Sequence, residues 1–128
     1  MYKHAMLTQL KNYGMVKRMQ PVLARQIDGA KWRLEKHGDR LTPEGLTRSR
    51  MLERMQRTYR ENREFLADID CCMQVLDDRE KTVIHHFYLE RTWDYMDILS
   101  DKLGVERSQL YRIKDRAMKK LVQTYYGV

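Results

Sequence analysis

Basic side chains are concentrated between Glu106 and Leu121, where six Lys and Arg residues stand among two acidic ones. Guanidinium and ammonium groups pair with phosphate oxygens, and Arg also pairs bidentately with guanine in the major groove. Apolar residues recur in this stretch at spacings of three and four, which predicts a helix with one buried and one basic face. The chemistry indicated is binding of nucleic acid by the outer face of that helix.

A second amphipathic segment must position the basic helix. It runs from Thr92 to Leu103 and is followed by Gly104, a residue that accepts positive φ at the end of a helix. The apolar positions that predict the two buried faces are Met96, Leu99, Leu103, Val105, Leu110, Ile113, Ala117 and Leu121. A short helix, a tight turn and a basic helix are the parts of a DNA-reading helix-turn-helix.

A family resemblance runs without a gap from Leu76 to Leu121. The residues that carry it are Leu76, Asp77, Asp78, Arg79, Glu80, Val83, Ile84, Phe87, Tyr88, Glu90, Ile98, Leu103, Gly104, Val105, Arg107, Leu110, Ile113, Ala117, Lys120 and Leu121. This pattern resembles the fourth region of bacterial primary sigma factors. The small size and the helical first half are similar to the ArpU/RinA-type phage late transcriptional regulators. The resemblance implies a sequence-specific DNA-binding regulator of transcription, encoded by a phage or prophage.

The chain also departs from the sigma pattern. Glu106 stands where that family has a capping Ser or Thr, and Glu is the weaker cap. Leu99 stands where the sigma family usually has a small Ala. Ser108, Gln109 and Tyr111 stand where sigma factors more often have charged residues that contact bases. We therefore expect the DNA site to differ from a standard promoter element.

The resemblance and the helical pattern together predict which side chains meet DNA. They are Arg107, Ser108, Gln109, Tyr111, Arg112, Lys114, Arg116, Lys119, Thr92 and Trp93. Arg107 or Arg112 suits guanine and Gln109 suits adenine, whereas Tyr111 suits a thymine methyl group. Lys114, Arg116, Lys119 and Lys120 are expected on the phosphate backbone, with simple solvation as the alternative for Lys119 and Lys120. Thr92 and Trp93 would begin a helix whose N-terminus holds a phosphate, although Trp93 equally suits the core.

The first part of the chain is predicted to form long helices. We expect helices over 2–13 and 16–37, interrupted near Gly14 and Pro21, and a third over 43–73. His37-Gly38-Asp39 is a stop signal, and Thr42-Pro43-Glu44 is a start signal. The fold class predicted is all-α, with a helical hairpin or coiled-coil region over 1–75 and a helix-turn-helix domain over 76–128.

A heptad pattern marks one face of the third predicted helix. Its members are Leu52, Met55, Tyr59, Asn62, Leu66, Ile69, Met73 and Leu76. Such a seam suits either an antiparallel hairpin with the preceding helix or a dimer in which buried Asn62 sets the register. Both the monomer and the homodimer therefore stay open.

Composition excludes several other classes. The net charge is +7 and the isoelectric point about 9.5, which favours an anionic partner such as double-stranded DNA. No apolar run of about 18 residues exists, so no membrane span is expected.

The adjacent Cys71 and Cys72 cannot close a loop and suit a reducing cytoplasm. His85 and His86 are consecutive on a helix and cannot both ligate one metal ion, so one is expected to face the core and the other the surface.

We expect no enzymatic activity, no cofactor and no metal, because no phosphate loop, nucleophile elbow or ligand cluster occurs. The leading hypothesis is a cytoplasmic transcriptional regulator, and the resemblance alone implies contact with RNA polymerase. A phage small terminase, which packages DNA, is the alternative, and a ring of subunits in solution would favour it. A module that binds only proteins is the third hypothesis, and failure to bind any DNA would favour it.

Overall fold

The computed structural model describes residues 2–37 and 42–128, and every element in that part of the chain is helical. The helices are α1 (Tyr2–His37), α2 (Pro43–Met73), α3 (Asp78–Ile84), α4 (Tyr95–Leu103) and α5 (Arg107–Tyr126), with a π-helical turn at His85–Leu89 after α3. The all-α prediction is thus confirmed. No helix in the described ranges is long and apolar enough to cross a membrane.

The chain divides into two compact units. One, here called the C-terminal unit, combines Met1–Met15 with Ala67–Val128, and the other, the middle unit, is Val16–Leu66. These limits do not coincide with the division predicted after residue 75. The start of α1 and the end of α2 belong with the later helices, because side chains separated by many residues along the chain pack together there.

Helix α1 corrects the prediction of two helices interrupted near Gly14 and Pro21. It is a single helix of 36 residues that contains both. Pro21 lacks the N–H that would donate to residue 17, so the helix lacks one hydrogen bond at this position. Gly14 is buried, and so is Gln20 beside the exposed Pro21, so packing of this face offsets the low helix propensity of Gly and Pro. The stop signal at Gly38 and Asp39 lies outside the described residues.

Helix α2 begins and ends where the sequence predicts. Thr42 caps it, since its Oγ1 accepts a hydrogen bond from the Gly45 N–H at 3.0 Å, and Pro43 occupies the first helical position. Pro fits there because the N–H it lacks would have no partner within the helix. Both Cys71 and Cys72 lie in α2 as free thiols. Burial raises the pKa of the Cys72 thiol.

In the middle unit, the polar member of the heptad has a partner on α1. The Asn62 side chain donates to Gln20 Oε1 at 2.9 Å, and the Gln20 amide donates to the Tyr59 carbonyl at 3.1 Å. Gln20 is buried, so these bonds satisfy an amide that would be costly to leave unpaired. Asn62 is therefore hydrogen-bonded to a residue of α1 in its own chain.

The C-terminal unit contains the capping box predicted at Asp77 and Glu80. Asp77 accepts from the Glu80 N–H at 2.8 Å, and Glu80 Oε1 accepts from the Asp77 N–H at 3.0 Å. The hydrogen bond from the Glu80 backbone holds the pKa of Asp77 below its usual value. Two of the N–H groups at the start of α3 are thus satisfied reciprocally.

The core of this unit is built from the predicted apolar face and from residues of α1. Val83, Phe87, Leu99, Leu110 and Ile113 form one buried cluster, against which Met96, Leu103 and Val105 pack. Met6, Leu10 and Tyr13 of α1 are also buried. Tyr13 donates to Asp70 at 2.5 Å, and burial together with this bond raises the pKa of Tyr13 to about 12. The apolar pattern of α4 and α5 is confirmed as a core face.

The two adjacent histidines do not divide into one core and one surface residue. Both are half-buried in the π-helical turn, with Nε2 of His85 lying 3.3 Å from Glu90. Burial lowers the pKa of His86, and its Nδ1 is buried with no hydrogen-bond partner in the described part of the chain. The turn rotates successive side chains differently from an α-helix, which the sequence pattern does not reveal.

Candidate nucleic-acid interface

Helices α4 and α5 are joined by three residues, Gly104, Val105 and Glu106. Gly104 has the left-handed φ of 65°, and its N–H donates to the Ser100 carbonyl at 2.9 Å. The Ser100 hydroxyl in turn donates to the Val105 carbonyl at 2.8 Å. These bonds fix the turn, so the orientation of α5 relative to α4 is set by a side chain that sequence reasoning did not single out.

Glu106 is the N-cap of α5, but its side chain makes no capping hydrogen bond. Its extended backbone, with φ −76° and ψ 160°, suits a capping residue. Glu106→Ser is expected to raise the free energy of unfolding by about 0.5–1 kcal/mol, because a Ser hydroxyl can accept from an N–H of the first turn. Chemical denaturation checks this. Glu53→Ser, an exposed change inside α2, should give no gain, and equal shifts for the two variants would contradict the capping argument.

The exposed face of α5 carries a stripe of polar residues at spacings of four, three and four. This outer stripe consists of Ser108, Arg112, Asp115 and Lys119, and all four are exposed. It lies opposite Leu110, Ile113, Ala117 and Leu121, which are buried. Gln109 and Tyr111 flank the stripe on either side, and both are exposed. Helical geometry thus brings these predicted site residues together on the face turned away from the core.

Arg107, by contrast, forms an ion pair with another residue of the chain. Its guanidinium donates to Asp97 Oδ1 of α4 at 2.9 Å. Both side chains are largely exposed, so the pair is weak in water and could exchange its carboxylate for a phosphate. The structure therefore places Arg107 beside the turn, whereas the side chains of Arg112 and Gln109 form no hydrogen bond or ion pair with the rest of the described chain.

Lys114 is withdrawn from the outer stripe. Its side chain is 18% exposed, and its amine lies 3.2 Å from Asp115 and 5.3 Å from the centre of the Tyr111 ring. The ammonium group lies near this aromatic ring and the ring of Phe87. Lys114 is therefore placed as a support for Tyr111 and Asp115 rather than as an extended contact to the phosphate backbone.

A buried carboxylate ties α5 to α3. Glu80 is 0% exposed, its Oε1 accepts from Lys120 Nζ at 2.7 Å, and its Oε2 lies 3.5 Å from Arg116 Nε. The second contact does not satisfy Oε2 as a hydrogen bond. Arg116 nevertheless remains 60% exposed. Lys120 and Arg116 thus help to attach α5 to α3. Their positions in the sequence do not distinguish this role from phosphate binding.

Arg79 joins the predicted residues in a cleft beside α5. The cleft has a volume of about 220 Å³ and is lined by Arg79, Val105, Gln109, Arg112, Ile113 and Arg116. Arg79 donates to the Leu103 carbonyl at 3.4 Å, which holds it near the turn. Three guanidinium groups around one opening favour a phosphate. Arg79 was not among the predicted DNA contacts, although it is one of the residues on which the family resemblance rests.

The sequence predicts that Thr92 and Trp93 begin α4. In the structure they instead precede the helix. The helix starts at Tyr95, and the Thr92 hydroxyl donates to Asp94 Oδ1 at 2.9 Å. Trp93 is 94% exposed, which rules out its role as a core anchor. An indole placed almost wholly in water costs hydrophobic free energy unless a partner covers it. The structure therefore excludes a core position for Trp93 and places its side chain on the surface.

Within the described ranges, no group of three or more His, Cys, Asp or Glu side chains is arranged to hold a metal ion. The exposed face of α5 carries guanidinium, ammonium, carboxylate, amide, hydroxyl and aromatic groups. Comparison with known proteins adds no assignment, since no family model, no curated protein and no solved structure matches the chain.

Proposed function

We propose that this protein is a sequence-specific regulator of transcription that binds double-stranded DNA and reads the major groove with α5. The observation that carries the proposal is the outer stripe, a row of uncovered polar side chains on a helix whose opposite face is fully buried. An α-helix with its side chains is about 10–12 Å wide and the major groove is about 12 Å wide, so such a helix can enter it.

The proposed DNA contacts divide into three groups. Arg112, Gln109 and Ser108 are assigned to base edges, since they project from the first two turns of α5. Tyr111 is assigned to a thymine methyl group. The proposed backbone contacts are Lys119, Arg107, Arg116, Arg79, Thr92 and Trp93. Lys114 is left out because it pairs with Asp115. This division follows the rule that phosphate contacts position a protein and base contacts specify its site.

We further propose that α1 and α2 form an antiparallel hairpin and that α4 and α5 form the helix-turn-helix. The hairpin is supported in the middle unit by the bonds of Gln20 with Tyr59 and Asn62. It is supported in the C-terminal unit by the bond between Tyr13 and Asp70. The helix-turn-helix is supported by the three-residue connection and left-handed Gly104. Resemblance alone supports phage or prophage origin, a cytoplasmic location and contact with RNA polymerase.

The Arg112→Ala variant tests the assignment of base readout. We expect it to lose about 1–3 kcal/mol of binding free energy on the preferred site and much less on random DNA, because a bidentate contact to guanine discriminates between bases. The preferred site is first selected from a pool of random duplexes, and both affinities are then measured by fluorescence anisotropy. Lys119→Ala is the control, expected to weaken both duplexes about equally. Equal losses for Arg112→Ala would instead make Arg112 a phosphate contact.

A further inference from the structure

The first turn of α1 lies against α5 in the C-terminal unit. Lys3 Nζ is 3.5 Å from Asp115 Oδ1, and the rings of Tyr2 and Tyr126 are 5.2 Å apart. Lys3 and Asp115 are separated by 112 positions along the chain, so folding alone brings this amine to the basic helix. Both side chains are more than half exposed, and the pair is open to whatever α5 approaches.

Asp115 is the one acidic residue of α5, and it lies within the outer stripe between Arg112 and Lys119. Burial alone would raise its pKa, but the ion pairs with Lys114 and Lys3 hold the pKa of Asp115 below its usual value. The carboxylate is therefore charged at neutral pH. A negative charge on a surface that faces phosphates opposes binding unless cations compensate for it.

Two lysines share this compensation. Lys114 Nζ lies 3.2 Å from Asp115, but its side chain is mostly buried and it also contacts aromatic rings. Lys3 is the exposed partner, and it comes from the opposite end of the chain. Asp115 alone carries a charge of −1, whereas Asp115 together with Lys114 and Lys3 carries a summed charge of +1.

We propose that Lys3 is part of the DNA interface and acts through Asp115, whose charge it neutralises so that the outer stripe can approach phosphates. This inference rests on the proposed function. The start of α1 thereby contributes to DNA binding, although it is not part of the helix-turn-helix.

The test compares the wild-type chain with Lys3→Ala, Asp115→Asn and the double variant, each titrated with a random-sequence DNA duplex at low salt. Lys3→Ala should weaken binding about two- to fivefold, the effect of losing one exposed ion pair. Asp115→Asn should tighten binding. When Asp115→Asn is already present, Lys3→Ala should change the affinity by less than about 1.5-fold, because coupled residues are not additive.

Lys11→Ala is the matched control, since it removes the same charge from an exposed position of α1 about 12 Å further along the helix. Thermal melting should be unchanged in every variant, because an exposed pair contributes little to folding. The inference is overturned if Lys3→Ala binds no more weakly than Lys11→Ala. It is also overturned if Lys3→Ala causes an equally large loss when combined with Asp115→Asn, since Lys3 would then contact phosphate directly.

The outcomes separate this inference from the proposed function. If the wild-type chain binds DNA and Arg112→Ala loses its preferred site, but Lys3→Ala behaves like Lys11→Ala, only the role of Lys3 is wrong. If the wild-type chain binds no duplex at low salt, both proposals are wrong.

Discussion

Leu10→Ala is expected to lower the free energy of unfolding by about 2–5 kcal/mol, since truncating a buried Leu loses its contacts and leaves a cavity. Leu10 is 0% exposed and lies in the part of α1 that belongs to the C-terminal unit. Amide hydrogen exchange should therefore accelerate in α5 as well as at the start of α1. Denaturant unfolding of the variant and the parent measures the loss.

Leu46→Ala is the control for this experiment. The same atoms are removed from a side chain that is 46% exposed in α2, and the expected change is within about 0.5 kcal/mol. Equal changes for the two variants, or unchanged exchange in α5, would contradict the assignment of the start of α1 to the C-terminal unit.

Lys120→Met is expected to destabilise the protein by about 3 kcal/mol, because it leaves the buried Glu80 carboxylate without its closest cation. Glu80→Gln should cost only about 1 kcal/mol. The Gln amide oxygen can still accept from the Asp77 N–H, and the Lys120 side chain, which is partly exposed, can turn to water. The asymmetry arises because only one partner of the pair is deeply buried.

Thermal and chemical unfolding of four variants tests this prediction. Lys119→Met, the same change at the exposed neighbouring position, should alter stability by less than about 0.5 kcal/mol. Lys120→Met combined with Glu80→Gln should recover most of the stability lost in Lys120→Met alone. A Lys120→Met variant as stable as Glu80→Gln would show that Glu80 does not depend on its ion pair.

Local signals in the sequence predicted several elements correctly. The Thr42-Pro43 start gave the beginning of α2, and the spacing of Asp77 and Glu80 identified the capping box of α3. The apolar positions of α4 and α5 are buried or packed on the core, as their spacing indicates. These features depend on residues within one or two helical turns, so the sequence contains them directly.

Features that depend on distant parts of the chain were not predicted. α1 continues through Gly14 and Pro21 because tertiary packing outweighs local helix propensity. The contact of Lys3 with Asp115 leaves no periodic signal. At the candidate interface, charge alone did not distinguish Arg112 on the outer stripe from Lys120, which is bound to Glu80. Only the packed structure shows which cations are used internally.

Binding of DNA itself is the central claim, and its salt dependence tests it most directly. Affinity for a duplex is measured by anisotropy over a series of salt concentrations, with the wild-type chain. If about five cations meet phosphates, the plot of log K against log salt should fall with a slope of roughly −4 to −5. A slope near zero, or no binding at low salt, would contradict the account.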